Sequence, residues 1–139
     1  MKFIVYYVGK PRDANANAMA QEFLRRSTRY ARCEMREVDP ARFDPWAKHP
    51  SAAKVLLDPA GQTMDSARFA KLISQAEQEA RDLVFLIGGA AGLPAKWKGQ
   101  DGVVLSLSAM TMPHELARVV LAEQIYRAFT LLRGHPYPK

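Results

Sequence analysis

Leu105-Ser106-Leu107-Ser108-Ala109-Met110-Thr111-Met112-Pro113-His114 is the stretch on which the reading of this chain turns, because a strand, a turn and a helix start all meet in it. Leu105 and Leu107 alternate with Ser106 and Ser108 as the end of a half-buried strand does. The small residues that follow leave room for a ligand to approach the backbone. Pro113 suits a first helical turn, where its missing N–H would have no partner anyway, and Thr111 is placed to cap that helix. Backbone donors and acceptors therefore converge here, and the stretch reads as a binding loop. His114 falls at the positive end of the helix dipole, where a proton-accepting ring is expected.

Upstream, residues 3–8 form a continuous apolar run closed by Gly9, the pattern of a strand buried on both faces of a parallel sheet. Met19, Phe23, Leu24 and Tyr30 predict an amphipathic helix over 14–30, and a strand follows over 33–38. Pro40, Pro45 and Pro50 predict a surface linker over 39–51 without regular helix, packed down by Trp46. A short strand over 54–58 ends in the turn Pro59-Ala60-Gly61. A helix capped by Asp65 or Ser66 then carries Phe69, Leu72, Ile73 and Ala76 at helical spacing. Residues 82–87 are another buried strand, ending in Gly88-Gly89-Ala90-Ala91-Gly92, where paired glycines permit close backbone approach. The last strand starts at Gly102, and the last helix runs over 113–133 until Gly134 stops it. This alternation predicts an α/β fold, a mainly parallel sheet with helices on both faces, as a single domain over 1–139. In such sheets ligands bind beyond the carboxyl ends of the strands, where the small-residue turns after Leu57, Ile87 and Ser108 fall.

Composition narrows the partners. The chain has 139 residues, 48% hydrophobic and 24% charged, as a folded globular domain does. Twenty Lys+Arg against fourteen Asp+Glu give +6, which favours polyanions. Arg25 and Arg29 on the first helix, Lys96 and Lys98 beside the glycine turn, and Arg118 near His114 are the candidate RNA contacts. With few spare aromatics for stacking bases, recognition by charge and shape is expected. The lone Cys33 cannot form an internal disulfide and no Cys/His spacing suits zinc, so no metal is expected. No apolar run reaches membrane-spanning length and the N-terminal run is too short for a signal peptide, so a cytoplasmic protein with no membrane partner is expected. No Gly-x-Gly-x-x-Gly or phosphate loop is present, which disfavours ordinary dinucleotide and nucleoside-triphosphate sites. Leu116 to Leu132 carry apolar surface wider than one stripe, which predicts burial against a partner chain as well as the sheet.

Taken together, Leu57-Asp58-Pro59-Ala60-Gly61, Phe85-Leu86-Ile87-Gly88-Gly89-Ala90-Ala91-Gly92-Leu93, the Leu105 to His114 stretch and His135-Pro136-Tyr137 resemble the ribosomal RNA large subunit methyltransferase H family. The likeness extends over nearly the whole chain, from Met1-Lys2-Phe3 to Ala122-Glu123-Gln124-Ile125-Tyr126-Arg127-Ala128. It implies a SPOUT-class fold with a deep C-terminal trefoil knot, acting as a homodimer. It also implies transfer of methyl from S-adenosyl-L-methionine to N3 of a pseudouridine in 23S rRNA, on the assembled ribosome or large subunit and not on DNA. By this resemblance Leu57, Gly88, Gly89, Leu105, Leu107, Ser108, Ala109, Met110, Thr111 and Met112 hold the cofactor, largely through backbone contacts.

Pseudouridine N3 is an imide N–H, a poor nucleophile until its proton leaves. His114 is the candidate for orienting or deprotonating the base, with His135 and Tyr137 closing the site, from the other subunit if the dimer brings them there. Arg118 or Arg127 is the candidate for stabilising negative charge. Two departures stand out. Family members are similar to Gly-Gly-Pro-Glu-Gly where this chain has Gly88-Gly89-Ala90-Ala91-Gly92, and Pro138 replaces a second tail histidine. The segment between Val38 and Lys54 also looks shortened. These departures motivate an alternative, a non-catalytic ribosome- or RNA-binding module with the same fold. A further alternative is a small-ligand α/β protein whose charge is incidental.

Overall fold

A strand covered on both faces needs an apolar residue at every position, and Phe3-Ile4-Val5-Tyr6-Tyr7 and Leu83-Val84-Phe85-Leu86-Ile87 supply one: all ten side chains are buried. In the computed structural model, which describes residues 1–137, the elements run β1 (Lys2–Val8), α1 (Ala14–Ser27), β2 (Arg32–Val38), α2 (Pro45–Lys48), β3 (Ala53–Thr63), α3 (Ser66–Gln78), β4 (Leu83–Ile87), a 3-10 turn (Ala95–Trp97), β5 (Val103–Ser106) and α4 (His114–Arg133). The five strands pair in the order β2-β1-β4-β3-β5, and every pairing is parallel.

Side chains alternate across the sheet, so Phe3, Val5, Tyr7, Phe85 and Ile87 face α1, α3 and α4, while Ile4, Tyr6, Val84 and Leu86 face Trp97, Leu93 and the 39–52 linker. The connections that step one way along the sheet, β1 to β2 and β3 to β4, lie on the first face. Those that step back, β2 to β3 and β4 to β5, cover the second, as a single handedness of parallel crossover demands. Helices thus flank both faces unequally, three long ones on the first and two short turns on the second. α4 packs between α1 and α3. On it Phe129 stands edge-on to Phe3 with ring centroids 5.1 Å apart, a contact contributing ~0.5–1.5 kcal/mol beyond its buried area. Much of the apolar surplus of α4 is therefore consumed within the chain, and Leu116 and Leu131 remain exposed.

Several local readings are corrected. α1 ends at Ser27 rather than residue 30, with Thr28 as its cap. The linker contains a one-turn helix, α2, because Asp44 accepts from the N–H groups of Trp46 and Ala47 and Pro45 occupies a position where no donor is needed. Trp46 does pin the linker, donating Nε1–H to the Asp101 carbonyl at 2.9 Å. α4 begins one residue late, at His114; Pro113 is its cap residue and Thr111 caps nothing. Asp65 rather than Ser66 caps α3. The sequence differences at Pro138 and Lys139 lie outside the described residues.

The largest correction concerns Pro59-Ala60-Gly61, read as a turn but lying inside β3. Pairing with β5 slips there: Leu105 is opposite both Leu57 and Gln62, and the residues between bulge out of the ladder. A proline that cannot donate is tolerated at such a bulge. Gly61 returns the chain against β5 so closely that a Cβ would lie 2.7 Å from the Val104 carbonyl carbon. Gly61→Ala should therefore lower stability by ~1–3 kcal/mol, the usual cost of overpacking, read as a lower urea midpoint at constant slope. An unchanged midpoint would mean that the β3 bulge is not held against β5.

Candidate active site

The bulge of β3 and the ends of β4 and β5 build the site. β3 delivers Leu57 and Asp58, β4 delivers Ile87 followed by Gly88 and Gly89, and β5 delivers Leu105 and Ser106 before the loop to α4. β4 and β3 are neighbours, as are β3 and β5, so the β3 bulge and the ends of β4 and β5 lie side by side. Between them lies a cavity of about 390 Å³, lined on those ends and on Ser108, Met110, Met112, Pro113 and His114. Apolar side chains and backbone make most of the wall, which suits a small ligand with an apolar ring system. The wall turns tightly at Gly88, where a Cβ would overlap the backbone of Gly92 and Leu93. A Cβ on Gly89 would lie 3.0 Å from the Val8 carbonyl oxygen.

The loop after β5 is held by its own serines. Ser106 Oγ donates to the Ser108 carbonyl at 2.9 Å, and Ser108 Oγ accepts the Met110 N–H at 2.9 Å. Pro113 and His114 follow, and the His114 ring lines the cavity. Behind it, Arg118 is 1% exposed, with its guanidinium 3.9 Å from the centroid of the Tyr7 ring. A desolvated cation over a ring in this way is worth about 2 kcal/mol. Nη1 donates to Asn17 Oδ1 at 3.3 Å and lies 3.5 Å from Glu115 Oε1, while Nη2 donates to the Val8 carbonyl at 3.4 Å. Burial pulls Arg118 below the usual arginine value, opposed by Tyr7 and Glu115. Glu115 in turn accepts the N–H groups of Arg12 at 2.6 Å and Asp13 at 3.1 Å and the Asn17 amide at 3.1 Å. One carboxylate therefore clamps the loop after β1 and the start of α1 to the start of α4.

The candidate residues divide. Leu57, Gly88, Gly89, Leu105, Leu107, Ser108, Met110, Met112 and His114 line the cavity; Ala109 and Thr111 belong to the same loop but not to its lining. Arg118 sits beneath the site and is too buried to meet RNA at the surface, which removes it from the candidate RNA contacts. Its signal was present in the spacing: Arg118, Ala122, Ile125 and Phe129 form one buried stripe of α4. Lys98 also lines the cavity, opposite Asp58, a residue the sequence reading passed over as a site candidate. Burial pushes the Cys33 thiol up to about 12, so it is no nucleophile near neutrality.

His135 and Tyr137 lie elsewhere. His135 is exposed beyond Gly134, ~30 Å along α4 from His114 at the helical rise. Tyr137 folds back so that its hydroxyl donates to Glu123 Oε2 at 3.1 Å, while its ring meets Tyr126 edge-on at 4.8 Å and lies under the Arg127 guanidinium at 5.0 Å. Arg127 is itself paired to Glu123 at 2.6 Å. Within one chain this cluster stands apart from the cavity.

Residues 1–138 match the family model described as "Predicted SPOUT methyltransferase". The chain belongs to the SPOUT methyltransferase family. It is 61% identical over 137 residues to a protein of Solibacter usitatus named Ribosomal RNA large subunit methyltransferase H, with 99% of each chain covered. A probable methylase family protein from Haemophilus influenzae has the same fold at TM-score 0.64 and 10% identity, covering 99% of this chain and 72% of the other. An AdoMet-bound rRNA methyltransferase from Sinorhizobium meliloti is similar at TM-score 0.52 and 14% identity, covering 91% and 56%. Among the described residues no helix is long and apolar enough to cross a membrane, and no cluster of His, Cys, Asp and Glu could hold a metal ion.

The Glu115 clamp has a pH signature. Chiefly the Arg12 N–H holds its carboxyl at about 2, below its ordinary 4.5. A depressed folded value means that the clamp stabilises fully above about 4.5 and loses its contribution as pH falls toward about 2. Glu115→Gln should therefore unfold at lower urea than the parent at pH 7, and the difference should shrink as pH falls through that window. A gap independent of pH would refute the ionic clamp.

Proposed function

We propose that this chain is an S-adenosyl-L-methionine-dependent methyltransferase acting on N3 of a pseudouridine in 23S rRNA, on the large subunit or assembled ribosome, as a homodimer in the cytoplasm. One observation carries the reading: a largely apolar cavity walled by close-packed backbone at Gly88, in a chain 61% identical along its length to a protein named for large-subunit rRNA methylation. The residues present fit the cofactor, since the wall offers apolar surface to an adenine ring and backbone groups to its polar edge. S-adenosylmethionine supplies an electrophilic methyl group on a sulfonium. Leu57, Gly88, Gly89 and the loop over 105–112 would hold it.

His114, on the rim that leads into α4, is the group able to orient the target base and accept the N3 proton. Positioning the reactants is worth ~7–11 kcal/mol at best, and a general base adds about 10²–10⁴-fold. Arg118 holds α4 against β1 and so keeps His114 in place. His135 and Tyr137 lie apart from His114 within one chain, so they would close the cavity only of a second copy; exposed Leu116 and Leu131 supply apolar surface for such a dimer. Arg25, Arg29 and Lys96 are exposed and suit rRNA phosphates.

Labelled methyl transfer tests this reading, with ribosomes from cells lacking the protein as substrate and sedimentation run alongside. The parent should label 23S rRNA and sediment as two chains. His114→Ala should bind the cofactor yet turn over about 10²–10⁴-fold more slowly. Cofactor binding without any transfer by the parent would instead favour the non-catalytic RNA-binding module, and robust turnover by His114→Ala would remove the proposed base.

A further inference from the structure

The polar inventory of the cavity is lopsided. Its serine hydroxyls are engaged within the loop after β5, and backbone and apolar side chains make most of the rest. Apart from the His114 ring, the titratable side chains among the lining residues are Asp58 and Lys98, one of each sign. Asp58 stands where β3 bulges, with Oδ1 accepting the Ala60 N–H at 2.8 Å, so the carboxylate is oriented by its own backbone. Oδ2 faces Lys98 Nζ at 3.9 Å, beyond hydrogen-bond length. The Lys98 side chain is 58% exposed and that of Asp58 22%, so the pair gains little from itself and leaves both charges available.

Resting on the reading of this cavity as the S-adenosylmethionine site, we infer that Asp58 and Lys98 recognise the amino-acid end of the cofactor, Asp58 taking the α-ammonium and Lys98 the α-carboxylate. Adenosine carries no formal charge and suits the apolar wall. The methionine end is a zwitterion, and it matches a wall that offers one anion and one cation side by side. Charge-assisted hydrogen bonds of this kind are stronger than neutral ones and set orientation as well as affinity.

Two ligands that differ only in that end provide the test: S-adenosylhomocysteine, and 5′-methylthioadenosine, which keeps the adenosine and the thioether but lacks the amino acid. Titration calorimetry on the parent, Lys98→Met and Asp58→Asn would measure both. Each variant should bind S-adenosylhomocysteine about tenfold or more weakly and 5′-methylthioadenosine within about twofold of the parent. Unchanged affinity for S-adenosylhomocysteine, or an equal loss for both ligands, would overturn the assignment while leaving the cofactor site standing. A parent that bound neither ligand would overturn the cofactor reading itself, and this assignment with it.

Discussion

Backbone passing against backbone is the constraint on which this structure depends. At Gly61 the bulge of β3 returns onto Val104 and Leu105, and at Gly88 the exit of β4 presses on Gly92 and Leu93. Neither position has room for a Cβ. Of these, the approach at Gly88 is part of a cavity wall, with Gly92 and Leu93 beside it, while the return at Gly61 holds the β3 bulge against Leu105, which also lines that cavity. The shape of the cavity therefore depends on how tightly the chain turns at these glycines. The +6 net charge acts at longer range, drawing the molecule toward polyanions without shaping the cavity.

A second requirement is that α4 stay registered against β1, since His114 enters the cavity from its first turn. Arg118 meets it by burying a cation where the Tyr7 ring, Asn17, the Val8 carbonyl and Glu115 surround it. Val8 is also the residue that Gly89 approaches, so the guanidinium braces the glycine turn from behind. Further along, Arg133 pairs with Glu77 at 2.6 Å and Ser66 donates to Gln124 at 2.7 Å, tying the same helix to α3. α4 thus carries polar ties to both neighbours in addition to its apolar stripe, and its first turn is fixed more firmly than hydrophobic packing alone would fix it.

Much of this was legible in the sequence where the signal is local. The unbroken apolar runs of β1 and β4 announced a parallel sheet, and the small residues after Ile87 marked a true strand end, whereas β3 runs on past Leu57 and β5 stops at Ser106, before Ser108. The resemblance named the family that the comparisons bear out. What failed was information held between distant segments. Pro59-Ala60-Gly61 reads as a turn in isolation, and only pairing with β5 keeps it in the strand. Lys98 reads as one more surface cation until the fold sets it opposite Asp58. α2 was missed although Asp44 followed by Pro45 is a cap followed by a first-turn proline, and the prolines around it outweighed that signal. The tail cluster of Glu123, Arg127 and Tyr137 depends on a fold-back that no periodicity encodes.

The central claim is that the cofactor binds where the bulge of β3 meets the ends of β4 and β5. Amide hydrogen exchange of the full chain, with and without S-adenosylmethionine, tests it most directly. The account predicts that the ligand slows exchange at 57–61, 87–93 and 105–114 and leaves the 39–52 linker, which does not line the cavity, unchanged. Protection centred on that linker, or none at the strand ends at a ligand concentration that saturates binding, would contradict it.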